Sequence, residues 1–115
     1  PDYDGIVVDN GSLPGGDIAR YDRGDTLVHE VGHWLGLYHP FDGACSTRND
    51  RVSDTPAMKR AIFGCPAKAP DTCPKARGRD PLRNFMGYEI DRCLTKFSAG
   101  QATRMSEVVL EYRGF

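Results

Sequence analysis

The stretch HEVGHWLGLYH, residues 29–39, holds all three histidines of a 115-residue chain, with one glutamate and two glycines. On a helix, His29 and His33 lie about one turn apart on the same face, so their imidazoles can share a single ion. Glu30 falls about 100° round the helix from His29. That is too far to complete a tight tetrahedron but near enough to reach a water held by the ion. If the helix ran on, His39 would lie about 9 Å further along the axis than His33. Gly36 removes that obstacle, because a residue that tolerates positive φ lets the chain bend and bring His39 back under the ion.

Three neutral nitrogens leave a fourth tetrahedral position to water, the pattern of a catalytic zinc; structural zinc sites are closed by four protein ligands, usually including thiolates. The ion would lower the pKa of its water to about 7 and polarise a carbonyl, while Glu30 takes the water proton and delivers it to a leaving amine. Peptide-bond hydrolysis without a covalent intermediate is the reaction implied. A single histidine on an apolar helix is more often a hydrogen-bonded core residue. Five specified residues at fixed offsets, however, should arise by chance in well under roughly one in a thousand chains of this length.

Working outward, Gly5 to Asp9 (GIVVD) is β-branched and almost without polar interruption, which predicts a central strand covered on both faces. Asn10 to Gly24 is a loop with a turn signal at Leu13-Pro14-Gly15-Gly16. Asp25 is the expected N-cap of a helix whose apolar positions include Leu27, Val28, Val31, Trp34 and Leu35 and which should end near Gly36. Phe41 to Asp80 shows no sustained period of 2 or 3.6 and predicts a long irregular segment, which cross-links rather than a ladder would have to hold. Ser98-Ala99-Gly100-Gln101 has the form of a capping box, and Ala102, Met105, Val108, Val109 and Tyr112 follow at helical spacing. A second helix is expected over 99–112.

Fifteen basic against sixteen acidic residues leave no cationic surplus for nucleic acid or anionic lipid. No apolar run approaches the ~20 residues that span a bilayer. The first residue is Pro1, with no basic or apolar leader, so the chain reads as processed or truncated. Cys45, Cys65, Cys73 and Cys93 lack C-x-x-C spacing and lie outside the histidine stretch, which favours two disulfides and an oxidising compartment. Four free thiols, or one zinc held by all four, are the alternatives. Spacing alone leaves three disulfide connectivities open.

His29-Glu30-x-x-His33-x-x-Gly36-x-x-His39, followed by Asn84-Phe85-Met86-Gly87-Tyr88, resembles the signature and methionine turn of the metzincin zinc endopeptidases. Within that clan the resemblance is to the pappalysin family, especially its small secreted microbial members, whose turn reads N-x-M-D-Y. It extends to Leu13-Pro14-Gly15-Gly16, Asp54-Thr55-Pro56, Gly64-Cys65-Pro66 and Phe97-Ser98-x-Gly100-Gln101 with Arg104-Met105. The resemblance implies an α+β catalytic domain over 1–115, truncated at its front. Residues 1–39 would be the last sheet strand and active-site helix, and 40–115 an irregular, disulfide-linked C-terminal subdomain with the methionine turn and a C-terminal helix. It implies zinc on His29, His33 and His39, Glu30 as general base and acid, Met86 as the apolar floor, and Tyr88 as an auxiliary group near the metal. It also implies Cys45–Cys73 and Cys65–Cys93 disulfides. Without the resemblance, Met86 would be a core thioether and Tyr88 a surface aromatic. Gly87 departs from the pattern, replacing the Asp that could brace the turn.

Two weaker signals remain. Asp50, Val52, Asp54 and Thr55 could ligate calcium, or could be explained by Asx-turn capping without an ion. Asp91 falls where the clan's specificity pocket has its wall and would favour Arg or Lys just after the scissile bond, or would be a solvated loop acid. The expectation is a secreted monomer that cleaves proteins or peptides, with neither nucleic acid nor membrane as partner. The rival is an inactive or truncated scaffold held together by zinc and disulfides, and intact Glu30 speaks against it.

Overall fold

In the computed structural model, which describes residues 4–114, the histidine stretch opens on helix α1 (Asp25–Trp34). The helix ends in a Schellman motif. Gly36 takes φ 97°, its N–H bonds His33 O at 2.9 Å, and Leu37 N–H reaches back to Gly32 O at 2.9 Å. The bend is held from outside by α2 (Ala99–Arg113), whose Arg104 donates Nε–H to Gly36 O at 2.8 Å while Val108 packs on Gly36.

The start of α1 differs from expectation. Gly24, at φ 93°, is the N-cap and supplies no side chain, and Asp25 is the first helical residue. The capping carboxylate comes from Asp91 instead: its Oδ2 accepts from the N–H groups of Arg23 at 2.9 Å and Asp25 at 3.3 Å. A negative group beside the first amides also meets the positive end of the helix dipole. Local sequence could not show a cap that arrives from 66 residues away.

Residues 5–9 do not form a strand. Val7 is 94% exposed, and among the described residues the one β contact is an isolated parallel bridge between Asn84 and Lys96. The apolar pattern is present, but a strand exists only where a neighbour completes its hydrogen bonds, and none of the described residues pairs with it.

Between α1 and a short 3₁₀ turn at Asp91–Cys93 the chain has neither helix nor strand. Disulfides Cys45–Cys73 and Cys65–Cys93, each closing a separation of 28 residues, hold this region together in the pairing that the resemblance implies. Each contributes about 3–4 kcal/mol on the chain-entropy account. Buried polar knots do the local work. Asp50 accepts from Thr55 Oγ1 at 2.5 Å and Val52 N–H at 3.1 Å, and Asp80 accepts from the amide and hydroxyl of Thr72 at 3.0 and 2.7 Å. The apolar interior is small: Leu37, Val52, Met58, Met86, Ile90 and Leu94, with Cys73 and Cys93. Among the described residues, no helix is long and apolar enough to cross a membrane.

Helix α2 begins with both halves of a capping box: Ser98 Oγ accepts from Gln101 N–H at 3.0 Å, and Gln101 Oε1 accepts from Ser98 N–H at 2.8 Å. Asp54 adds a second cap from the loop, accepting from Ser98 Oγ at 2.7 Å and Gly100 N–H at 2.8 Å.

Candidate metal centre

The pitch of α1 and the bend at Gly36 bring three imidazoles to one point. The Nε2 atoms of His33 lie 3.0 Å from those of His29 and His39, which are 3.2 Å from each other. The opposite ring nitrogens all face acceptors. His29 Nδ1 is 2.8 Å from Phe85 O, His33 Nδ1 is 2.8 Å from Leu37 O, and His39 Nδ1 is 3.4 Å from Asp42 Oδ2. A carbonyl or carboxylate can only accept, so each of these contacts is satisfied with the proton on Nδ1. That tautomer turns three Nε2 lone pairs toward one another, an arrangement that a shared metal ion would satisfy. Burial, and after it the neighbouring imidazoles, lowers the pKa of His29; burial and then His33 lower that of His39 against the opposing pull of Asp42. Both effects favour the neutral, ligating form.

The donor set fits zinc. A tetrahedron with Zn–N bonds of about 2.0–2.1 Å has edges of about 3.3–3.4 Å, within a few tenths of the spacings seen here. Nδ1 hydrogen bonds to carbonyl or carboxylate are the outer contacts that orient ligating histidines. Among the described residues this is the one group of three or more His, Cys, Asp or Glu side chains placed to hold a metal.

Met86 packs against α1 and is fully buried, and its sulfur fills the place where a Cβ at Gly32 would sit. The methionine turn is closed by Gly87 N–H to Asn84 O at 2.9 Å and pinned to α2 by a buried amide pair. Asn84 Nδ2 donates to Gln101 Oε1 at 2.8 Å, Gln101 Nε2 donates to Asn84 Oδ1 at 3.0 Å, and the same Oδ1 accepts from Met86 N–H at 3.0 Å. One capping glutamine thus serves both the helix start and the methionine turn.

A cavity of about 210 Å³ opens beside the triad, and Glu30, His29 and Tyr88 line it together. The Tyr88 ring lies 5.0 Å from the His39 ring and 5.7 Å from that of His29, and it also packs on Phe41 and Phe63. Burial, then Asp42 and Glu30, raise the pKa of its phenol, which stays protonated at neutral pH. Asp25, Glu89 and Asp91 also line the cavity, with Tyr21, Phe63 and Leu94. Asp91 is 3% exposed rather than a solvated acid; Oδ2 caps α1 while Oδ1 has no hydrogen-bond partner.

The calcium candidates do not join this centre. The carboxylates of Asp50 and Asp54 are engaged by Thr55, Val52, Ser98 and Gly100, which accounts for the 50–55 loop by internal capping. Other contributors lie outside the histidine motif. Asp42 and the carbonyls of Leu37 and Phe85 orient the histidines, and Gln101, legible in the sequence only as half of a capping box, also anchors the turn. Gly32 carries a signal of its own, since glycine inside a helix costs about 1 kcal/mol relative to alanine and so marks a close approach.

Comparison with known proteins agrees with the geometry. The family model Peptidase_M43, described as pregnancy-associated plasma protein-A, matches residues 5–110. An extracellular metalloprotease of Sordaria macrospora is 49% identical over 111 residues, covering 96% of this chain and 39% of that protein. One from Pyricularia oryzae is 47% identical over 110 residues, covering 96% and 38%. Mature mirolysin of Tannerella forsythia, solved in complex with a cleaved peptide, superposes with a TM-score of 0.70 at 36% identity, over 79% of this chain and 35% of that one. The chain spans between 37% and 40% of the length of the curated relatives it matches. With sequence and fold agreeing over most of its residues, this chain belongs to the M43 peptidase family, that of pregnancy-associated plasma protein-A.

Proposed function

We propose that this chain carries the metal-binding and catalytic core of a secreted zinc endopeptidase, with His29, His33 and His39 as ligands and Glu30 as the proton carrier. The supporting observation is the triangle of Nε2 atoms, each imidazole held by an acceptor on Nδ1, with Glu30 and Tyr88 lining the adjoining cavity. Bound zinc would supply a Lewis acid that lowers the pKa of a coordinated water to about 7 and polarises the scissile carbonyl. The Glu30 carboxylate accepts the proton of the attacking water and passes it to the departing amide nitrogen. The Tyr88 phenol, kept protonated, donates a hydrogen bond to the oxygen that gains charge as the carbonyl is attacked. Met86 and the Asn84–Gln101 pair keep the histidines in place from below.

Asp91, with Asp25 and Glu89 in the same cavity, makes its lining acidic beside Tyr21, Phe63 and Leu94, which suits an Arg or Lys side chain just after the scissile bond. A peptide library cleaved equally before Leu and Arg would remove this assignment. Calcium has no part in the reading beyond the composition of the 50–55 loop. Peptide substrates are in keeping with the neighbour solved with a cleaved peptide, and secretion with relatives named extracellular.

The experiment is Glu30→Gln. The variant should bind one zinc as the parent does while peptide cleavage falls by 10²-fold or more. Cleavage that survives would refute the role of Glu30, and a zinc-loaded parent that never cleaves would favour the inactive scaffold.

A further inference from the structure

Gly87 is not glycine for conformational reasons, since its φ is not positive. It is glycine for want of space. A Cβ at this position would fall on Oε2 of Glu89 and come within 3.3 Å of Asn84 O. Glu89 is 2% exposed, and neither of its carboxylate oxygens has a hydrogen-bond partner of good geometry. Burial raises its pKa, and the nearby backbone amides of Glu89, Arg83 and Tyr88 oppose that rise. A buried carboxyl group without hydrogen-bond partners costs free energy, so its presence needs a reason.

We propose that Glu89 is a positioning residue of the methionine turn: its carboxylate reaches back to fill the space of a side chain at 87, so that Gly87 and Glu89 act as one coupled device. The carboxylate brought in by Glu89 stands where the family pattern N-x-M-D-Y would start its Asp side chain. It lines the cavity shared by His29, Glu30 and Tyr88. The two positions therefore tolerate one carboxylate between them. The inference rests on the zinc reading above only where zinc affinity is the readout.

The test is a double-mutant cycle of Gly87→Asp, Glu89→Ser and the pair, read by thermal midpoint and by zinc affinity against a competing chelator. The turn carries Phe85 O, which orients His29, and altered outer contacts of a metal site typically cost 10–100-fold in affinity. Gly87→Asp alone should lower zinc affinity at least tenfold in protein that remains folded, because the new side chain displaces Glu89. Adding Glu89→Ser should recover most of that loss and of the midpoint. A role confined to packing would move the midpoint and leave the affinity of the folded protein unchanged. Losses that simply add in the double variant, or a silent Gly87→Asp, would overturn the proposal. Should Gly87→Asp fail to fold, Gly87→Ala with and without Glu89→Ser decides the same question through the thermal midpoint. That midpoint cycle also stands if the chain binds no zinc, which keeps a failed coupling distinct from a failed metal site.

Discussion

Replacing Gln101 by alanine tests how firmly α2 and the metal centre are joined. The side chain has 0% exposure and makes three hydrogen bonds: from Ser98 N–H and Asn84 Nδ2 to Oε1, and from Nε2 to Asn84 Oδ1. Ser98 is half-buried, so its freed amide can find water at little cost. Asn84 is 3% exposed, and its Nδ2 would be left unpaired at about 1–3 kcal/mol. The other half of the capping box survives, because Ser98 Oγ still accepts from the backbone amide at 101, and the space vacated in a packed interior adds roughly 1 kcal/mol. The loss should total roughly 2–4 kcal/mol, a large fraction of the 5–15 kcal/mol typical of a domain. At about 4 °C per kcal/mol this lowers Tm by roughly 8–16 °C. Urea unfolding of the zinc-loaded chain with its disulfides intact measures it. Zinc affinity should fall in parallel, because Asn84 Oδ1 holds the amide of Met86. A loss under 1 kcal/mol, with zinc binding unchanged, would refute the idea that one glutamine braces both helix and turn.

Three further outcomes follow from the geometry. Gly36→Ala places a Cβ at φ 97° and against Val108, so it should cost at least about 1–2 kcal/mol and weaken zinc binding by misplacing His39; a thermal melt with a chelator titration checks both. The Ser98 hydroxyl, and then the Gly100 amide, hold Asp54 below the usual carboxylate range. Its stabilisation is therefore full above pH about 4 and is lost as pH falls through the lowered value. Being exposed and screened, Asp54→Asn should cost only about 0.5–1 kcal/mol at pH 7 and nothing in strong acid, as melts at both pH values would show. Calcium at millimolar concentration should leave Tm unchanged, whereas an ion bound at 100 times its Kd would add about 2.7 kcal/mol.

What could be read from the residues was local. Helical pitch, the glycine bend and the capping box at Ser98 are short-range features, and they appear where the spacing places them. The GIVVD segment shows the limit of pattern, because alternation or branching can propose a strand but only a partner can make one. Asp25 shows it again: a good capping residue stands at the right place, yet Asp91 from the far end of the chain does the capping. The acceptors that orient the histidines were equally hidden, since two are backbone carbonyls and carry no residue signature. Gly87 was read as a lost carboxylate, and only the folded chain reveals that Glu89 occupies its space.

The central claim is that His29, His33 and His39 grip one zinc and leave a position open. Zinc-edge X-ray absorption of the chain loaded with one equivalent is the direct measurement. The expected spectrum has three imidazole nitrogens and an additional oxygen at about 2.0–2.1 Å and no sulfur. A scattering path at about 2.3 Å, the distance of a thiolate ligand, or fewer than three imidazoles would contradict it.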